Sequence, residues 1–537
     1  MKKQLTILLM LLGLLAALTG CAGAPAATGT PFSGGSGTEA DPYRISTPED
    51  LQDLARLAGT RENQDTYASA SYILTGDIDL GGKNWTPIGP DEVPFNGTLD
   101  GNGYTIRGLK LNAKAGSDGN AFGLVCKLEG TLRNLTIADS SIRVKGDSGY
   151  VGTFAGNCFG GTIENCHTTD TVEVTAEFQA GGICGSANKD STLRGCTNSA
   201  QVSATGTVGG AGGIAYYVRC AVSDCINNGA ITSKGDAAGI AVSSSTVTDC
   251  VNNGTVSARS YAAGITCRFS DGALNDSMND TSVALLGCVN NASVTSLEDP
   301  AGGIAVSCRT GQVVNCANNG AVTSPAEAGG IFAYYQPGAF GTVCPEFTVS
   351  GCRNSGNITA LDSFAAGGIC GEVYGGSTRI VFTDCQNTGT IQATGKTDTL
   401  GSGSEAGGIV GCANVVDLDI SGSTNSGTIL GFAYAGGIVG RAYPDNYVEN
   451  VETSFRIAGC SNQGPIHTAE PGGTKKDIYV GGIVGHCRVI DGDDSLLLAF
   501  DRILEEGCEN TGSLSGDQEK ARLHTGSIFG NQEEFVN

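Results

Sequence analysis

A glycine–isoleucine unit recurs along most of this chain and constrains its fold more than any other feature. In its clearest form the unit reads Ala-Gly-Gly-Ile, as in "YAGGIVG" at Tyr434–Gly440. Its copies begin at Ala180, Ala211, Ala237, Ala262, Ala301, Ala328, Ala366, Ala406, Ala435 and Val480, with a looser copy at Thr525. Self-similarity at a short period is the signature of a solenoid, in which each repeat packs mainly on its neighbours.

A second motif follows each copy of the first, with the consensus apolar-x-x-Cys-x-Asn-x-Gly-x-apolar. Clear copies are "VSDCINNGAI" (Val222–Ile231) and "VVNCANNGAV" (Val313–Val322), and the shortest full cycle, Ile240 to Ile265, is 25 residues. Each cycle contains three short β-prone pieces, which cannot fold alone but bury a continuous core when stacked. The sequence therefore predicts an all-β fold, a right-handed parallel β-helix of about a dozen coils.

Stacking explains why the motif residues vary so little. In a parallel coil each residue lies about 4.8 Å from its counterpart in the next coil. The repeated isoleucine is expected to fill the interior, and the paired glycines to allow a bend or a close approach that a Cβ forbids. The asparagine is expected to turn the chain and to hydrogen-bond its own backbone or the next asparagine in the stack.

The Gly-Ile-Val-Gly unit resembles the GLUG motif of bacterial surface proteins, including the N-terminal regions of some immunoglobulin A peptidases. The segments "GTEADPYRISTPEDLQDLARLAG" (Gly37–Gly59), "YILTGDIDLGGKNWTPIG" (Tyr72–Gly89) and "FNGTLDGNGYTIRGLKL" (Phe95–Leu111) resemble the same group. The resemblance implies a parallel β-helix with a surface attachment or interaction role, and names no reaction. Within the first segment, Thr47 and Pro48 predict the start of a helix that belongs to a small N-terminal α/β cap.

The first residues predict export and lipid attachment. Lys2 and Lys3 precede an apolar stretch, Leu5 to Leu18, that is short for a membrane span, and "LTGC" then ends at Cys21. This resembles a bacterial lipoprotein signal, with an ordinary cleaved secretory signal as the alternative. We predict a signal peptide over 1–21 with lipidated Cys21, a flexible tether over 22–37, the cap and first coils over 38–118, and the repeats over 119–537. The expected location is the outer face of the cell envelope.

Composition limits the partners of such a protein. The formal net charge is −23, with 54 acidic and 31 basic side chains. Such a chain repels polyanions, so nucleic-acid binding is not expected, and neither is electrostatic docking on anionic lipid. The expected partners are the membrane, through the lipid, and a host or microbial glycan or protein.

Ten of the 21 cysteines occupy one position of the second motif: Cys166, Cys196, Cys225, Cys250, Cys288, Cys316, Cys352, Cys385, Cys460 and Cys508. Ser423 replaces the eleventh. The pattern favours buried free thiols that act as small apolar side chains, with disulfides between adjacent coils as the alternative. No metal site or cofactor is predicted, because Cys-x-x-Cys pairs are absent and His167, His467, His486 and His524 are scattered.

The sequence offers little for catalysis. It contains no His-Glu-x-x-His and no Gly-x-Ser-x-Gly, so neither a metallopeptidase nor a serine hydrolase is predicted. A polysaccharide lyase or glycoside hydrolase is the enzymatic alternative, since such sites need clustered carboxylates. Its candidates are Asp77 and Asp79, which also fit a cap strand, and Asp491, Asp493 and Asp494, which also fit a solvated loop.

Tyrosines recur in the variable segments after Gly-Ile, and they carry the binding hypothesis. The candidates are Tyr216, Tyr217, Tyr334, Tyr335, Tyr374, Tyr443 and Tyr447, with Phe340 nearby. Stacked along one side of the rod, they would form an aromatic strip for a glycan or protein. An aromatic stack that only packs on neighbouring coils is the structural alternative, and a spacer without a ligand is the other. We predict a non-enzymatic surface protein for adhesion or ligand binding.

Overall fold

The computed structural model of this protein confirms the parallel β-helix. It describes residues 31–116, 120–269, 284–309, 311–336, 346–362, 364–374, 378–394, 404–415, 417–443, 454–468, 477–487, 507–516 and 522–530. The strands form four parallel sheets of 13, 12, 26 and 13 strands, named here sheets 1 to 4 in the order in which each coil visits them. The predicted signal peptide with Cys21, and also Phe340, Tyr447, Asp491, Asp493 and Asp494, lie outside the described residues.

Sheets 1 and 2 come from the residues before and after each Gly-Ile. The strands of sheet 1 are Ala121–Phe122, Tyr150–Gly152, Gln179–Gly181, Gly210–Gly212, Asp236–Ala238, Ala262–Ala263, Ala301–Gly302, Ala328–Gly329, Ala366–Gly367, Glu405–Gly407, Tyr434–Gly436, Asp477–Gly481 and Arg522–Gly526. The strands of sheet 2 are Val125–Leu128, Ala155–Cys158, Cys184–Ala187, Ala215–Val218, Ala241–Ser244, Thr266–Phe269, Ala305–Cys308, Phe332–Tyr335, Cys370–Tyr374, Val410–Asn414, Val439–Tyr443 and Val484–Cys487.

Sheets 3 and 4 come from the residues around the cysteine and after Asn-x-Gly. The strands of sheet 3 are Tyr43–Ile45, Ser71–Leu74, Ile78–Asp79, Thr98–Asp100, Thr105–Arg107, Thr131–Ala138, Thr162–Thr168, Thr192–Arg194, Thr197–Asn198, Ala221–Ser223, Ile226–Asn227, Thr246–Thr248, Val251–Asn252, Ala284–Leu286, Val289–Asn290, Gln312–Val314, Ala317–Asn318, Glu346–Ser350, Arg353–Asn354, Arg379–Thr383, Gln386–Asn387, Asp417–Ser421, Thr424–Asn425, Ser454–Ala458, Ser461–Asn462 and Glu509–Asn510. The strands of sheet 4 are Lys110–Lys114, Ser141–Lys145, Glu173–Ala176, Gln201–Ala204, Ile231–Ser233, Val256–Ala258, Val294–Ser296, Val322–Ser324, Ile358–Ala360, Ile391–Ala393, Ile429–Gly431, Ile466–Thr468 and Leu514–Gly516.

Each coil has four sides, whereas the sequence predicted three β-prone pieces. The difference lies at Gly-Ile, where one predicted piece is two strands in separate sheets. The isoleucine between them is fully buried in every coil from Ile183 to Ile483, as predicted. Its backbone N–H bonds to the isoleucine of the next coil, for example Ile214 N to Ile240 O at 2.9 Å. The predicted interior stack is therefore confirmed.

The motif asparagines form a continuous buried ladder. Asn198, Asn227, Asn252, Asn290, Asn318, Asn354, Asn387, Asn425, Asn462 and Asn510 each donate through Nδ2 to the carbonyl two residues later. The first nine also donate to the Oδ1 of the next asparagine at 2.7–2.8 Å. Both predicted hydrogen bonds are thus made at once.

The second glycine of each pair makes room for this ladder. A Cβ on Gly213 would lie 2.0 Å from the Gly239 oxygen and 2.5 Å from the Asn227 Cγ. These glycines do not have positive φ, so close approach and not backbone conformation requires them. The Gly-Ile and Asn-x-Gly motifs recur together because they meet inside every coil.

A third repeated feature is the backbone conformation of the residue just before the motif cysteine. Asp224, Asp249, Asn315 and Asp384 have φ between 51° and 55°, and Gly195, Gly287 and Gly351 have φ of 62–64°. Asparagine, aspartate and glycine are the residues that adopt this left-handed conformation most readily. This turn divides sheet 3 into two short strands per coil, and the invariable Asp, Asn or Gly before the cysteine was its sequence signal.

The nineteen described cysteines are free thiols, and all but Cys508 are buried. Along the ladder from Cys166 to Cys460 each Sγ–H donates to the carbonyl two residues earlier, as from Cys225 to Ser223 O at 3.2 Å. Burial raises the pKa of Cys166 and Cys352 well above the usual thiol value. Ser423 keeps the same bond, to Ser421 O at 3.2 Å, so a small donor is what this position needs.

We expect alkylation under denaturing, non-reducing conditions to label every described cysteine, as measured by peptide mass spectrometry. In the native protein Cys508 should react first, because the thiolate of a buried cysteine is strongly disfavoured. A sample reduced before labelling is the control. Fewer labels without reduction than with it would show that adjacent coils are bridged.

The N-terminal end carries the predicted cap. A helix, Pro48–Ala58, begins after Thr47, whose side chain accepts from Asp50 N, and a 3₁₀ turn (Arg61–Asn63) and a π-helical turn (Gln64–Ala68) follow. Phe32 is buried and lies 4.8 Å from Tyr43 and 5.4 Å from Tyr72, measured between ring centroids. Packing thus begins inside the predicted tether, because an aromatic ring there completes the cap core.

Candidate functional site

The outer corner between sheets 1 and 2 forms a groove along the rod, named here the outer groove. Some of its residues are fully buried although they face away from the main core: Ala238, Val242, Ala263, Cys267, Val306 and Ala333. Tyr216, Tyr261 and Tyr334 pack against them. Because these residues form a cluster of their own with the tyrosines packed against it, this corner holds a second, smaller apolar cluster.

Two columns of side chains border the groove. In each coil one lies four residues before the isoleucine, in or just before sheet 1, and the other three residues after it, in sheet 2. The register places these residues directly above one another, as in Glu405, Tyr434 and Tyr479 on one side and Glu372, Cys412 and Arg441 on the other. Within one coil, the residues of the two columns are therefore seven positions apart in sequence.

An acid, a tyrosine and an arginine meet twice in this groove. Asp236 pairs with Arg268 of the next coil at 2.9 Å, and that guanidinium lies 5.4 Å from the centre of the Tyr261 ring. Glu405 pairs with Arg441 of the next coil at 3.3 Å, and Arg441 lies 4.7 Å from the Tyr434 ring. We call these two sets the acid–tyrosine–arginine triads.

Between the triads lies a pair of acids, Glu327 and Glu372. The register places Glu372 directly above Tyr334, in the coil that follows Glu327, and Tyr374 lies two residues further along the same strand. Burial, followed by the charges of Glu327 and Glu405, raises the pKa of Glu372 well above its usual value. Burial also raises the pKa of Glu327. A carboxyl whose pKa is raised by burial and by neighbouring acids marks a candidate functional position.

The C-terminal end of the groove is aromatic. Tyr434 and Tyr479 stack at 5.6 Å, and Tyr479 stacks on His524 at 4.6 Å. His486 lies edge-on to Tyr479 at 4.6 Å. Tyr434, Tyr479 and His524 are buried, so these rings mainly cover the glycine backbone beneath them. This end is built as packing rather than as an open surface.

The predicted aromatic strip is divided by the structure. Tyr335 lies in the main core, 4.4 Å from Phe347, and cannot contact a ligand. Tyr216 packs in the groove cluster. The next residue, Tyr217, belongs to the sheet 2 column that borders the groove. Tyr334 lies directly below Glu372 in register, Tyr374 is 37% exposed beside that residue, and Tyr443 stacks at 4.6 Å on Arg441. The structure therefore gathers Tyr334, Tyr374 and Tyr443 around the acids.

The other predicted candidates have structural roles. Asp77 accepts from Thr105 N of the adjacent coil, and Asp79 accepts from Gly81 N in its own turn, so both hold the backbone of the cap. The Trp85 indole is buried and donates to Leu124 O. In the part of the chain that the structure describes, no three His, Cys, Asp or Glu side chains are grouped to hold a metal ion.

Sequence reasoning missed Glu327, Glu372, Glu405, Arg441 and Tyr434 as site residues. One signal could have revealed them: a chemically distinctive residue recurs seven positions apart across Gly-Ile, as in Tyr261/Arg268, Glu327/Tyr334, Tyr434/Arg441 and Tyr479/His486. The partners in the triads cannot be read this way, because they come from consecutive coils separated by loops of unequal length.

No protein-family model matches this chain. A protein of Evansella cellulosilytica named "Putative Gly-rich membrane protein" is 37% identical over 136 residues, which cover 25% of this chain and 15% of that protein. Halomucin of Haloquadratum walsbyi is 36% identical over 166 residues, which cover 28% of this chain and 2% of halomucin. The similarity thus spans a small part of these relatives.

A solved structure from Bacteroides ovatus, titled as that of "a putative immunoglobulin A1 protease", aligns with 68% of this chain and 80% of its own. The sequence identity is 18% and the TM-score is 0.30. Among the described residues, no helix is long and apolar enough to cross a membrane.

Proposed function

We propose that this protein is a non-enzymatic lipoprotein of the cell envelope that binds a glycan or a protein in the outer groove. The observation that carries the proposal is the gathering of Tyr334, Tyr374 and Tyr443 around buried acids, between two triads whose charges are already paired. Tyrosine and arginine are the residues that most often dominate binding surfaces. Relatives named as a membrane protein and as halomucin support the envelope location.

The state of the groove acids supports binding over hydrolysis. Glycosidases need two carboxyl groups about 5–9.5 Å apart, so that a glycosidic bond fits between them. Of the groove acids, Asp236 and Glu405 are paired with arginines, and Glu372 is only 8% exposed. A polysaccharide-cleaving activity remains the alternative function, and it predicts release of reducing or unsaturated sugars, whereas the binding proposal predicts none.

We expect Tyr374→Ala and Tyr443→Ala each to weaken ligand binding at least about tenfold, since exposed tyrosines at the centre of a binding surface contribute about 2 kcal/mol. The ligand would be identified by screening the purified full-length protein on glycan and host-protein arrays, followed by calorimetry. Phe159→Ala is the matched control: Phe159 is 51% exposed and has the same position relative to its coil, several coils away.

Two results would contradict the proposal. One is a ligand whose affinity is equal for the wild type and both tyrosine variants. The other is release of sugar products from acidic polysaccharides by the wild-type protein.

A further inference from the structure

The residues around Glu327 and Glu372 can be compared with the residues at the same positions in the two triads. In both triads an acid in one coil is followed, in the next coil, by a tyrosine in sheet 1 and an arginine in sheet 2. The arginine thus fills the space above the acid and neutralises it. Of the three described acids in the sheet 1 column, Asp236, Glu327 and Glu405, two have an arginine above them in the next coil, so the groove can hold a guanidinium at that position.

At Glu327 the same two positions hold different residues. The next coil supplies Ala365 where the triads have tyrosine, and Glu372 where they have arginine. A second acid therefore occupies the place of the cation. In the described part of the chain, the arginines of the two columns, Arg268 and Arg441, pair with Asp236 and Glu405 and not with Glu327 or Glu372.

The rest of the site also fits a missing cation. Tyr334 lies beneath Glu372, and Tyr374 stands beside it with 37% of its surface exposed. Arg441 is already engaged by Glu405 and by the Tyr434 and Tyr443 rings. Rings next to a carboxylate attract a cation more strongly than either group alone, since the ring faces are negative. Among the described acids of the two columns, Glu327 and Glu372 therefore stand without an arginine partner.

Resting on the proposed function, we infer that the ligand is a protein whose arginine side chain enters between Glu327, Glu372, Tyr334 and Tyr374 and completes a third triad. The two existing triads favour a guanidinium over an ammonium. A guanidinium offers several N–H donors in one plane, so it can bond both carboxyl groups at once.

The test uses three immobilised peptides of one sequence that differ at a single residue: arginine, lysine or citrulline. Citrulline keeps the size and planarity of arginine but carries no charge. Binding of the purified full-length protein would be followed by surface plasmon resonance. We expect the arginine peptide to bind at least tenfold more tightly than the citrulline peptide and more tightly than the lysine peptide.

Two variants locate the effect. Glu372→Gln should lower the affinity for the arginine peptide to that for the citrulline peptide. Glu372→Arg should abolish binding while keeping the fold, because it supplies the missing cation from within the chain. Glu173→Gln is the matched control, because Glu173 is an exposed acid on sheet 4 that pairs with Arg143. Glu173→Gln should leave the affinity for the arginine peptide unchanged. A non-specific attraction of the peptide to this acidic protein would be weakened equally by both glutamine variants.

The inference fails if arginine and citrulline peptides bind alike, or if Glu372→Gln and Glu173→Gln have equal effects. If a glycan binds in a Tyr374-dependent manner while the arginine peptide shows no preference, the proposed function stands and only the inference falls. If no glycan or protein binds at all, both fall.

Discussion

Replacing Asn318 by alanine is expected to lower the free energy of unfolding by about 3 kcal/mol or more, since each buried polar group left without a partner costs about 1–3 kcal/mol. Asn318 is fully buried and makes three ladder hydrogen bonds of 2.8 Å, with Asn290, Asn354 and the Gly320 carbonyl. The alanine leaves all three partners in a dry interior. Urea unfolding followed by far-UV circular dichroism measures the loss.

Asn319→Ala is the matched control, because it removes the side-chain amide of the next residue, which also belongs to a hydrogen-bonded ladder. Asn319 belongs to a solvent-exposed ladder with Asn291 and Ser355, and water can replace those bonds. Its effect should stay below about 1 kcal/mol. Because neighbouring coils stabilise one another, hydrogen exchange should show the largest loss of protection in the coils next to Asn318. Equal effects of the two variants would show that the buried ladder contributes no special stability.

Gly303→Ala is expected to be at least as damaging, with a loss of more than about 3 kcal/mol or a failure to fold. Its Cβ would lie 2.1 Å from the Gly330 oxygen and 2.4 Å from the Asn318 Cγ. Both are closer than any real Cβ contact, and one is backbone held by the next coil. Relief would require two coils to separate, which breaks the strand pairing on sheet 1. Thermal and urea unfolding would measure the change.

Gly76→Ala is the control for the effect of any added methyl group. Nothing lies within 4 Å of a Cβ at Gly76, and its φ is not positive. Its stability should change by less than about 1 kcal/mol. A Gly303→Ala protein that folds and unfolds like the wild type would contradict the view that close approach, and not backbone flexibility, accounts for the repeated glycines.

The resemblance of consecutive repeats was enough to predict the scaffold. Ile240, Asn252 and Cys250 each stand in register with the same residue type in the next coil, so a period in sequence is also a stack in space. The paired glycines were predicted to permit a close approach, and Gly213 shows what they approach, the asparagine of the same coil. The left-handed residue before each cysteine was visible in the sequence and was missed, because apolar periodicity does not report backbone conformation.

The candidate site could be predicted only in part. Several of the predicted tyrosines lie at the outer groove, yet Tyr335 lies in the core while its neighbour Tyr334 packs in the groove. A pair of adjacent tyrosines in sequence does not show which of the two faces outward. The site acids were overlooked in favour of Asp77 and Asp79, which instead accept hydrogen bonds from backbone N–H groups, Asp77 from the adjacent coil and Asp79 within its own turn.

By itself the sequence determined the parallel coil, its interior isoleucines and its asparagine ladder, since the forces that stack these residues act between identical positions one period apart. Only the tertiary structure decided which polar residues meet in the outer groove. Asp236 and Arg268 are 32 residues apart, whereas Glu405 and Arg441 are 36 apart, because loops of different length separate consecutive coils. No fixed spacing encodes such contacts, and the lack of an arginine beside Glu327 and Glu372 among the described residues becomes apparent only once the coils are stacked.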